Sequence, residues 1–343
     1  MSKIIKIGNV SIQNDARPKI IAEGCDNHFG DVKRAFEMVK LAKEAGADII
    51  KFQHHLPYEE MLKDVPMSEN FEEPLYDFLE KNALALGDHK KIKSLAEKLG
   101  IQYLCTPFSF KAAEEINSIG VKAFKIGSGE MTDIPTLTKI AGFKLPMIIS
   151  TGMSTFSEIN ETYKSIIKKN NKIILMNCTS EYPPDYKDIN LNVIGKMKKK
   201  FPQALIGHSD HTSDLVTCFG AVALGAVLIE KHVTIDKKLK GPDQEVSVDF
   251  DDLKRLVSEI KKLHLAMGDS KKVNFKEKSI RKWAFRSIVS TKQIKKDETI
   301  TEKMIWSKRP GTGIPSKLMH RVIGKKAKKN IKINSLLKWS DFK

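Results

Sequence analysis

The sequence predicts an α/β protein in which residues 1–270 form a (β/α)8 barrel and a smaller domain follows. Eight short runs rich in Val and Ile alternate with amphipathic helical stretches, and most successive runs start 20 to 32 residues apart, the length of one βα unit. Near-continuous apolar runs are typical of parallel strands that are buried on both faces. Eight such units within about 250 residues fit a closed barrel better than an open doubly wound sheet.

The predicted elements follow one another in order along these 270 residues. The first helix ends at Gly46, and a last helix that begins after Asp249 closes the ring. One gap of 54 residues, between the starts of the second and third strands, holds an insertion at about 54 to 87. The eight predicted strands are residues 19–24, 47–53, 101–107, 121–129, 146–152, 172–180, 204–210 and 226–233.

The composition is that of a folded protein and not of a disordered or membrane-spanning chain. Of the 343 residues, 41% are hydrophobic and 29% are charged. The longest apolar run, residues 219–229, has 11 residues, about half of the roughly 20 that a membrane-spanning helix needs. The first residues carry no long apolar segment or cleavage site, so we expect no membrane partner and a cytoplasmic location.

The net charge of +17 is concentrated at one end of the chain. Residues 271–343 contain 22 Lys or Arg against 5 Asp or Glu, which accounts for the whole imbalance. A basic domain can bind nucleic acid. Arginine, however, supplies only seven of the 59 basic residues, and an excess of lysine is more often a solvated surface. We therefore expect no nucleic-acid partner.

Polar side chains stand at the ends of all eight predicted strands. Because active sites of such barrels lie at the carboxyl ends of the strands, these residues are the candidate site. Polar strand ends alone would explain one or two of them, but not a set on every strand. The candidates are Glu23, Lys51, Gln53, Thr106, Lys125, Ser128, Glu130, Ser150, Ser180, Tyr182, Ser209, His211 and His232.

Two of these candidates are histidines, His211 and His232, which lie 21 residues apart, or one βα unit. Neighbouring parallel strands would bring their imidazoles side by side. With Glu23 and oxygen ligands from water or substrate, the pair suits Mn²⁺ or Mg²⁺ better than a closed zinc site. A structural role is the alternative. In the same stretch, "IGHSDHTSD", we expect Asp210 to orient the metal ligand. We also expect Thr212 to Asp214 to start the next helix, with Ser213 or Thr212 as its N-cap.

Two other candidates, Lys51 and Lys125, lie within otherwise apolar strands. A buried lysine is costly unless it is paired with a charge. Ion pairs with Glu23 or Glu130, or a Schiff-base role, are alternatives. A bound phosphate or carboxylate accounts for both lysines, and hydroxyl groups would complete the anion site. Those hydroxyls belong to Thr106, Ser128, Ser150 and Ser209.

The motifs at these strand ends resemble those of the sialic acid synthase family. They include "IIAEGCDNHFGD", "IIKFQ", "CTPFS", "FKIGSGEMTDIPTL", "NCTSEYP", "IGHSDHT", "IEKHVTID" and "GPDQEVSVD". After the barrel, "KRPGTGIPSKLMHRVIGKKA" is similar to the small antifreeze-like (SAF, β-clip) domain that follows the TIM barrel in these enzymes. The resemblance implies a catalytic domain at residues 1–270, a linker at 271–284 and an SAF domain at 285–343.

The resemblance also implies an activity, the condensation of phosphoenolpyruvate with an N-acetylated mannose-type sugar to a nine-carbon sugar acid and phosphate. It implies a Mn²⁺ or Mg²⁺ cofactor held by His211 and His232, and a domain-swapped homodimer. The catalytic residues would be Glu23, Lys51, Lys125, His211 and His232. Phosphoenolpyruvate would contact Lys51, Thr106, Lys125, Ser128, Ser150, Ser180 and Ser209. The sugar would contact Gln53, Glu130, Tyr182 and Asp243 of the same barrel, together with Arg309 from the SAF domain of the partner subunit.

The sequence departs from the family pattern in places that bear on the sugar. Gly24, Cys25 and Phe29 stand in the first motif where members commonly read "AEIGxNHxG", and the insertion after "FQHHLPYEEML" is unusual. Both N-acetylmannosamine and a 2,4-diacetamido-trideoxyhexose therefore stay open as the acceptor. Another phosphoenolpyruvate-dependent barrel synthase and a non-catalytic binding protein are the alternative functions.

Overall fold

The computed structural model describes residues 3–66, 71 and 73–343 of the chain. Two compact units are present, Met1–Met267 and Gly268–Lys343. Part of the predicted insertion, residues 67–70 and 72, lies outside the described residues. Within the described part of the chain, none of the helices combines the length and the apolar character that crossing a membrane requires.

Eight parallel strands form the centre of the first unit, and the barrel prediction is confirmed. The strands are β3 (Lys19–Glu23), β4 (Ile49–His54), β5 (Gln102–Pro107), β6 (Phe124–Ile126), β7 (Met147–Ser150), β8 (Ile173–Cys178), β9 (Leu205–Asp210) and β10 (Leu228–His232). They are hydrogen-bonded in the order β5-β4-β3-β10-β9-β8-β7-β6. The two end strands, β5 and β6, also lie next to each other, so the ring is nearly closed.

Helices pack around this ring, and the helix ends predicted at Gly46 and Asp249 are present. Asp31 accepts a hydrogen bond from the Lys33 amide at the start of α1, which ends at Gly46 with a left-handed φ of 87°. Asp249 caps α10, as predicted. The helices are α1 (Val32–Ala45), α2 (Pro57–Glu60), α3 (Leu75–Asn82), α4 (Leu86–Leu99), α5 (Phe110–Ser118), α6 (Ile134–Ala141), α7 (Phe156–Ile167), α8 (Val193–Lys200), α9 (Val216–Ala223) and α10 (Phe250–Ala266).

An N-terminal hairpin, which the sequence analysis missed, covers part of the barrel interior. Its strands, β1 (Ile4–Ile7) and β2 (Val10–Gln13), pair antiparallel. Ile5, Ile7 and Ile12 share one buried cluster with apolar side chains of the barrel strands. Those side chains include Ile21, Ile49, Leu104, Ile148, Ile174, Leu205 and Leu228. The hairpin thus packs against the interior residues that precede the strand ends.

The second unit is built around a core of its own. It contains the helix α11 (Phe275–Ala284) and the antiparallel strands β11 (Ser287–Ser290) and β12 (Ile305–Lys308). A buried cluster that includes Ile288, Ile305 and Leu337 forms the core. The helix α11 occupies most of the predicted linker and begins with a capping box at Asn274. The domain boundaries themselves stay a prediction.

Candidate active site

The barrel interior changes from apolar to polar over two residues on most strands. Since every second side chain of a strand faces the same way, the polar residues stand directly above the apolar ones on the inner face. Ile21 is followed by Glu23, Ile49 by Lys51 and Leu228 by Glu230, all of them buried. This step from an apolar to a polar layer marks the floor of the site.

A cavity of about 440 Å³ lies above that layer. Most of the residues predicted from the sequence line it, although their roles stay a prediction. They are Lys51, Gln53, Thr106, Lys125, Ser128, Glu130, Ser150, Ser180, Tyr182, Ser209, His211, His232 and Asp243. The structure therefore brings together residues that lie up to 192 positions apart in the sequence, between Lys51 and Asp243.

Two predicted residues do not line the cavity. Glu23 is fully buried beneath it, where Oε1 accepts a hydrogen bond from the Cys25 amide (2.7 Å) and Oε2 pairs with Lys51. Arg309 belongs to the second unit, where its guanidinium lies over the Trp283 ring at 5.4 Å and its Nε donates to the Ala284 carbonyl. Lys51 thus stands between Glu23 and any ligand in the cavity.

The two buried lysines are joined by a glutamate that the sequence analysis missed. Glu230 Oε1 lies 2.8 Å from Lys125 Nζ and 3.6 Å from Lys51 Nζ, and it accepts a hydrogen bond from Ser209 Oγ at 3.0 Å. Lys51 also pairs with Glu23, one of the alternatives weighed above. Glu130, the other alternative, forms no ion pair with either lysine among the described residues, and Lys125 pairs with Glu230 instead.

Burial and charge act in opposite directions on this cluster. Burial lowers the pKa of Lys51 to about 7, against the opposing effect of Glu230. Burial alone would raise the pKa of Glu230, but Lys125 and Lys51 outweigh it and hold that pKa well below its usual range. Ser150 Oγ, which also lines the cavity, has no hydrogen-bond partner among the described residues. The cluster can exchange its internal pairing for a bound anion.

The imidazoles of His211 and His232 lie side by side, as the strand spacing predicted, with ring centroids 5.2 Å apart. His211 Nδ1 donates to the Thr179 carbonyl at 2.7 Å, which leaves Nε2 toward the Tyr182 hydroxyl at 3.4 Å. Tyr182 stacks on His211 at 4.3 Å. Burial holds the pKa of His232 well below its usual value, so its ring is neutral and able to bind a metal.

A third group of donors surrounds His232. Its Nδ1 is buried without a hydrogen-bond partner among the described residues, and lies 4.0 Å from Asp243 Oδ1. Cys25, His232 and Asp243 each offer a ligand atom, and these atoms lie within 4.8 Å of one another. An orphaned imidazole nitrogen beside a carboxylate fits a divalent metal. Residues of this chain are therefore able to hold the metal that the family resemblance implies.

The cavity wall also carries a polar cluster from the insertion. His55 Nδ1 lies 2.9 Å from Glu60 Oε2, its Nε2 lies 3.0 Å from Gln53 Oε1, and its ring stacks on Phe108. Both partners are acceptors, so the ring donates from both nitrogens. The sequence analysis missed His55 and Glu60, although "FQHHLPYEE" brings both next to Gln53. Burial raises the pKa of Glu130, which lines the same cavity, to about 7.

Two expectations about "IGHSDHTSD" are wrong. Asp210 does not orient His211. Its carboxylate lies 2.6 Å from Lys231 Nζ and 3.1 Å from His208 Nε2, in a buried network away from the cavity. Alternation explains this, because Asp210 and His208 are two residues apart and share the outer face of β9. The following helix, α9, begins at Val216 and not at Thr212, whose hydroxyl donates to Asp210 instead.

Comparison with known proteins gives the affiliation of this fold and site. The NeuB family model matches residues 38–272, and the SAF domain model matches residues 285–343. The chain belongs to the NeuB family. This confirms the family resemblance and the expectation that the protein is an enzyme of the sialic acid synthase type.

Several relatives of this NeuB family member have described activities. N,N'-diacetyllegionaminic acid synthase of Campylobacter jejuni is 36% identical, over 93% of this chain and 98% of the relative. Pseudaminic acid synthase of the same species is also 36% identical, over 99% and 100% of the two chains. N-acetylneuraminic acid synthetase of Leptospira borgpetersenii, solved with citrate, is 32% identical with a TM-score of 0.73, over 82% and 95% of the two chains.

Proposed function

We propose that this NeuB family enzyme condenses phosphoenolpyruvate with an N-acetylated sugar to form a nine-carbon sugar acid and phosphate. The observation that carries the proposal is the pairing, within one cavity, of a lysine-rich anion site and a histidine pair. Lys51 and Lys125 supply the anion site, and His211 and His232 supply the pair. One end of the cavity thus suits a phosphate and carboxylate, and the other suits a metal-bound oxygen.

Phosphoenolpyruvate binds at the lysine end in this proposal. Lys51 and Lys125 face its anionic groups, and their ammonium groups are already held in position by Glu230. The unpartnered hydroxyl of Ser150 can donate to a phosphate oxygen. The other groups that would contact phosphoenolpyruvate are Thr106, Ser128, Ser180 and Ser209, all of which line the cavity.

The metal in this proposal is Mn²⁺ or Mg²⁺, held by His211 and His232. When bound, it supplies Lewis acidity for a carbonyl oxygen and a fixed position for water. The His211 imidazole is oriented for this by its hydrogen bond to the Thr179 carbonyl, which places the lone pair on Nε2. His232 needs no proton loss to bind, because burial keeps it neutral.

The reaction forms one carbon–carbon bond and breaks one carbon–oxygen bond. The enol carbon of phosphoenolpyruvate attacks the aldehyde of the open-chain sugar, and water adds to the resulting cationic carbon. The tetrahedral intermediate then loses phosphate. Lys51 and Lys125 stabilise the departing phosphate. Glu23 acts on proton transfer through Lys51, its ion-pair partner, and so is a positioning residue here.

The sugar occupies the side of the cavity that carries Gln53, Glu130, Tyr182 and Asp243. An apolar wall faces the same space, made of Met61, Phe71, Leu75 and Leu79 of the insertion and of Phe108, which follows β5. Such a wall suits the methyl groups of a 2,4-diacetamido-trideoxyhexose better than the hydroxymethyl group of N-acetylmannosamine. The similarity to a diacetyllegionaminic acid synthase supports this sugar class.

We also propose a cytoplasmic, domain-swapped homodimer in which Arg309 of the partner subunit meets the sugar's acetamido group. Residues 1–270 would be the catalytic domain and residues 285–343 the domain that is lent to the partner. A strictly monomeric active enzyme in analytical ultracentrifugation would contradict this arrangement.

The test is phosphate release from phosphoenolpyruvate with Mn²⁺ and a panel of sugars. We expect release with a diacetamido or N-acetylated hexose and none with a phosphorylated sugar. Among the described residues that line the cavity, Lys51 and Lys125 are the only lysines, and both are assigned to phosphoenolpyruvate. The absence of metal-dependent release with every sugar would refute the enzymatic proposal.

A further inference from the structure

We infer that the thiolate of Cys25 is a protein ligand of the metal, together with His232 and Asp243. This inference rests on the proposed divalent metal and names a ligand beyond the histidine pair. A sulfur ligand would give the site a preference for thiophilic ions such as Co²⁺, Zn²⁺ and Cd²⁺ over the Mn²⁺ or Mg²⁺ expected from the histidines alone.

The geometry that carries the inference is a compact group of three different donors. The Cys25 sulfur, a ring nitrogen of His232 and a carboxylate oxygen of Asp243 lie within 4.8 Å of one another. Cys25 is fully buried and His232 is 4% exposed. Small shifts of these side chains would bring all three within bonding distance of one ion, since metal–ligand bonds are about 2.0–2.3 Å long.

An unpartnered nitrogen points independently to a ligand at this place. His232 Nδ1 is buried and has no hydrogen-bond partner among the described residues. Asp243 Oδ1 lies 4.0 Å from it, too far for a hydrogen bond. A buried imidazole nitrogen without a partner is costly, and a metal ion would satisfy it together with the carboxylate.

The backbone holds the thiol in this position. Cys25 has a left-handed φ of 36°, which is unfavourable for a residue with a side chain, and its amide donates to Glu23 Oε1. Gly24, just before it, packs so closely that an added Cβ would lie 2.7 Å from the Phe52 ring. The turn after β3 is therefore tight on one side and directs the Cys25 side chain toward Asp243 and His232.

Binding through sulfur has a definite proton balance. Burial raises the pKa of the Cys25 thiol well above its usual value, so the free protein carries the thiol. An incoming divalent ion would take the sulfur lone pair while the proton leaves to solvent, as happens at other metal-bound cysteines. One proton is thus released for each sulfur–metal bond formed.

A second thiol nearby provides a matched control. Cys178 also lines the cavity, and its Sγ lies 4.0 Å from His211 Nδ1. That nitrogen, however, already donates to the Thr179 carbonyl, so Cys178 stands beside a satisfied group. If the metal bound any thiol near the imidazole pair, replacing either cysteine would weaken metal binding. The inference assigns the bond to Cys25 alone.

The experiment is a Co²⁺ titration of the full chain followed by absorption, which shows a sulfur-to-cobalt charge-transfer band in the near ultraviolet. We expect this band in the unmodified protein and in Cys178→Ala, and its loss in Cys25→Ser and Cys25→Gly. The glycine variant relieves the left-handed backbone and so keeps the fold accessible. Circular dichroism of each variant checks folding.

Affinity gives a second measurement. We expect Cd²⁺ to bind at least about tenfold more weakly to Cys25→Ser than to the unmodified protein, because losing even an indirect metal contact costs that much. Mn²⁺ affinity should change much less. Bound Co²⁺ without the band, or a band that survives in both Cys25 variants, would overturn this inference. Either result would leave intact the proposal that the histidine pair binds a divalent metal. No Co²⁺ binding at all would overturn both.

Discussion

Replacement of Glu230 by glutamine should destabilise the barrel unit strongly. The substitution keeps the shape and the acceptor for Ser209 but removes the charge that lies between Lys125 and Lys51. Both lysine side chains are only 4% exposed, so solvent screens the loss of the carboxylate only weakly. Breaking a buried ion pair from one side costs about 3–5 kcal/mol.

We expect the cost of Glu230→Gln to lie at the lower end of this range of about 3–5 kcal/mol. Lys51 keeps its second partner, Glu23, whereas Lys125 loses its closest carboxylate. We therefore expect Glu230→Gln to lower the free energy of unfolding of the barrel by about 3 kcal/mol. In the double variant with Lys125→Met, the loss should be smaller than the sum of the single losses by about 1–3 kcal/mol, because the two residues interact directly.

Urea unfolding followed by two signals measures this effect. All three tryptophans, Trp283, Trp306 and Trp339, lie in the second unit, so their fluorescence reports that unit, while far-ultraviolet circular dichroism is dominated by the barrel. The circular dichroism transition should shift and the fluorescence transition should shift less. Glu259→Gln, which breaks an exposed ion pair with Lys262, is the control and should change stability by less than about 0.5 kcal/mol. A loss below about 1 kcal/mol for Glu230→Gln would refute the reasoning.

Three further predictions concern metal binding, pH and the N-terminal hairpin. His211→Ala should abolish metal-dependent turnover and leave the circular dichroism spectrum unchanged, because its hydrogen bonds go to the Thr179 carbonyl and the Tyr182 hydroxyl and not into the apolar core. The kcat/KM for phosphoenolpyruvate should fall as pH rises through about 7, since burial lowers the Lys51 pKa to about 7 and the neutral amine attracts no anion. Ile7→Ala should cost about 2–5 kcal/mol of stability without changing KM, because Ile7 is fully buried away from the cavity.

Each of these three has an outcome that would contradict it. Retained metal-dependent activity in His211→Ala would show that the ligand is misassigned. The pH dependence should be absent from Lys51→Met, whose kcat/KM should be low throughout, so an equal slope in that variant would assign the titration to another group. A large change of KM in Ile7→Ala would mean that the hairpin shapes the site directly.

The eight strands were predictable because parallel strands buried on both faces leave continuous apolar runs in the sequence. The hairpin at Ile4–Ile7 and Val10–Gln13 was missed although its pattern is regular. Apolar residues alternate on both sides of Gly8-Asn9, a common two-residue turn, and Gly8 has a positive φ of 58°. Each of its strands has only four residues, so its apolar pattern is less conspicuous in the sequence than the longer apolar runs of the barrel strands.

The site was predictable as a set of residues but not in its pairings. Strand ends place Lys51 and Lys125 at the mouth, yet which carboxylate meets them depends on the barrel's curvature, so Glu230 was missed and Glu130 was suggested instead. Asp210 could have been assigned correctly. Side chains of a strand alternate, and Asp210 lies between Ser209 and His211, two residues that were expected to face the cavity, so Asp210 faces the other way.

The most direct test of the proposed function uses phosphoenolpyruvate that carries a heavy oxygen isotope in the bridge between carbon and phosphorus. Incubation with Mn²⁺ and a 2,4-diacetamido-trideoxyhexose should yield a nine-carbon sugar acid, with the heavy oxygen in the released phosphate, because the carbon–oxygen bond breaks. Mass spectrometry of both products measures this. Label retained in the sugar acid, or no sugar acid from any N-acetylated hexose, would contradict the proposal.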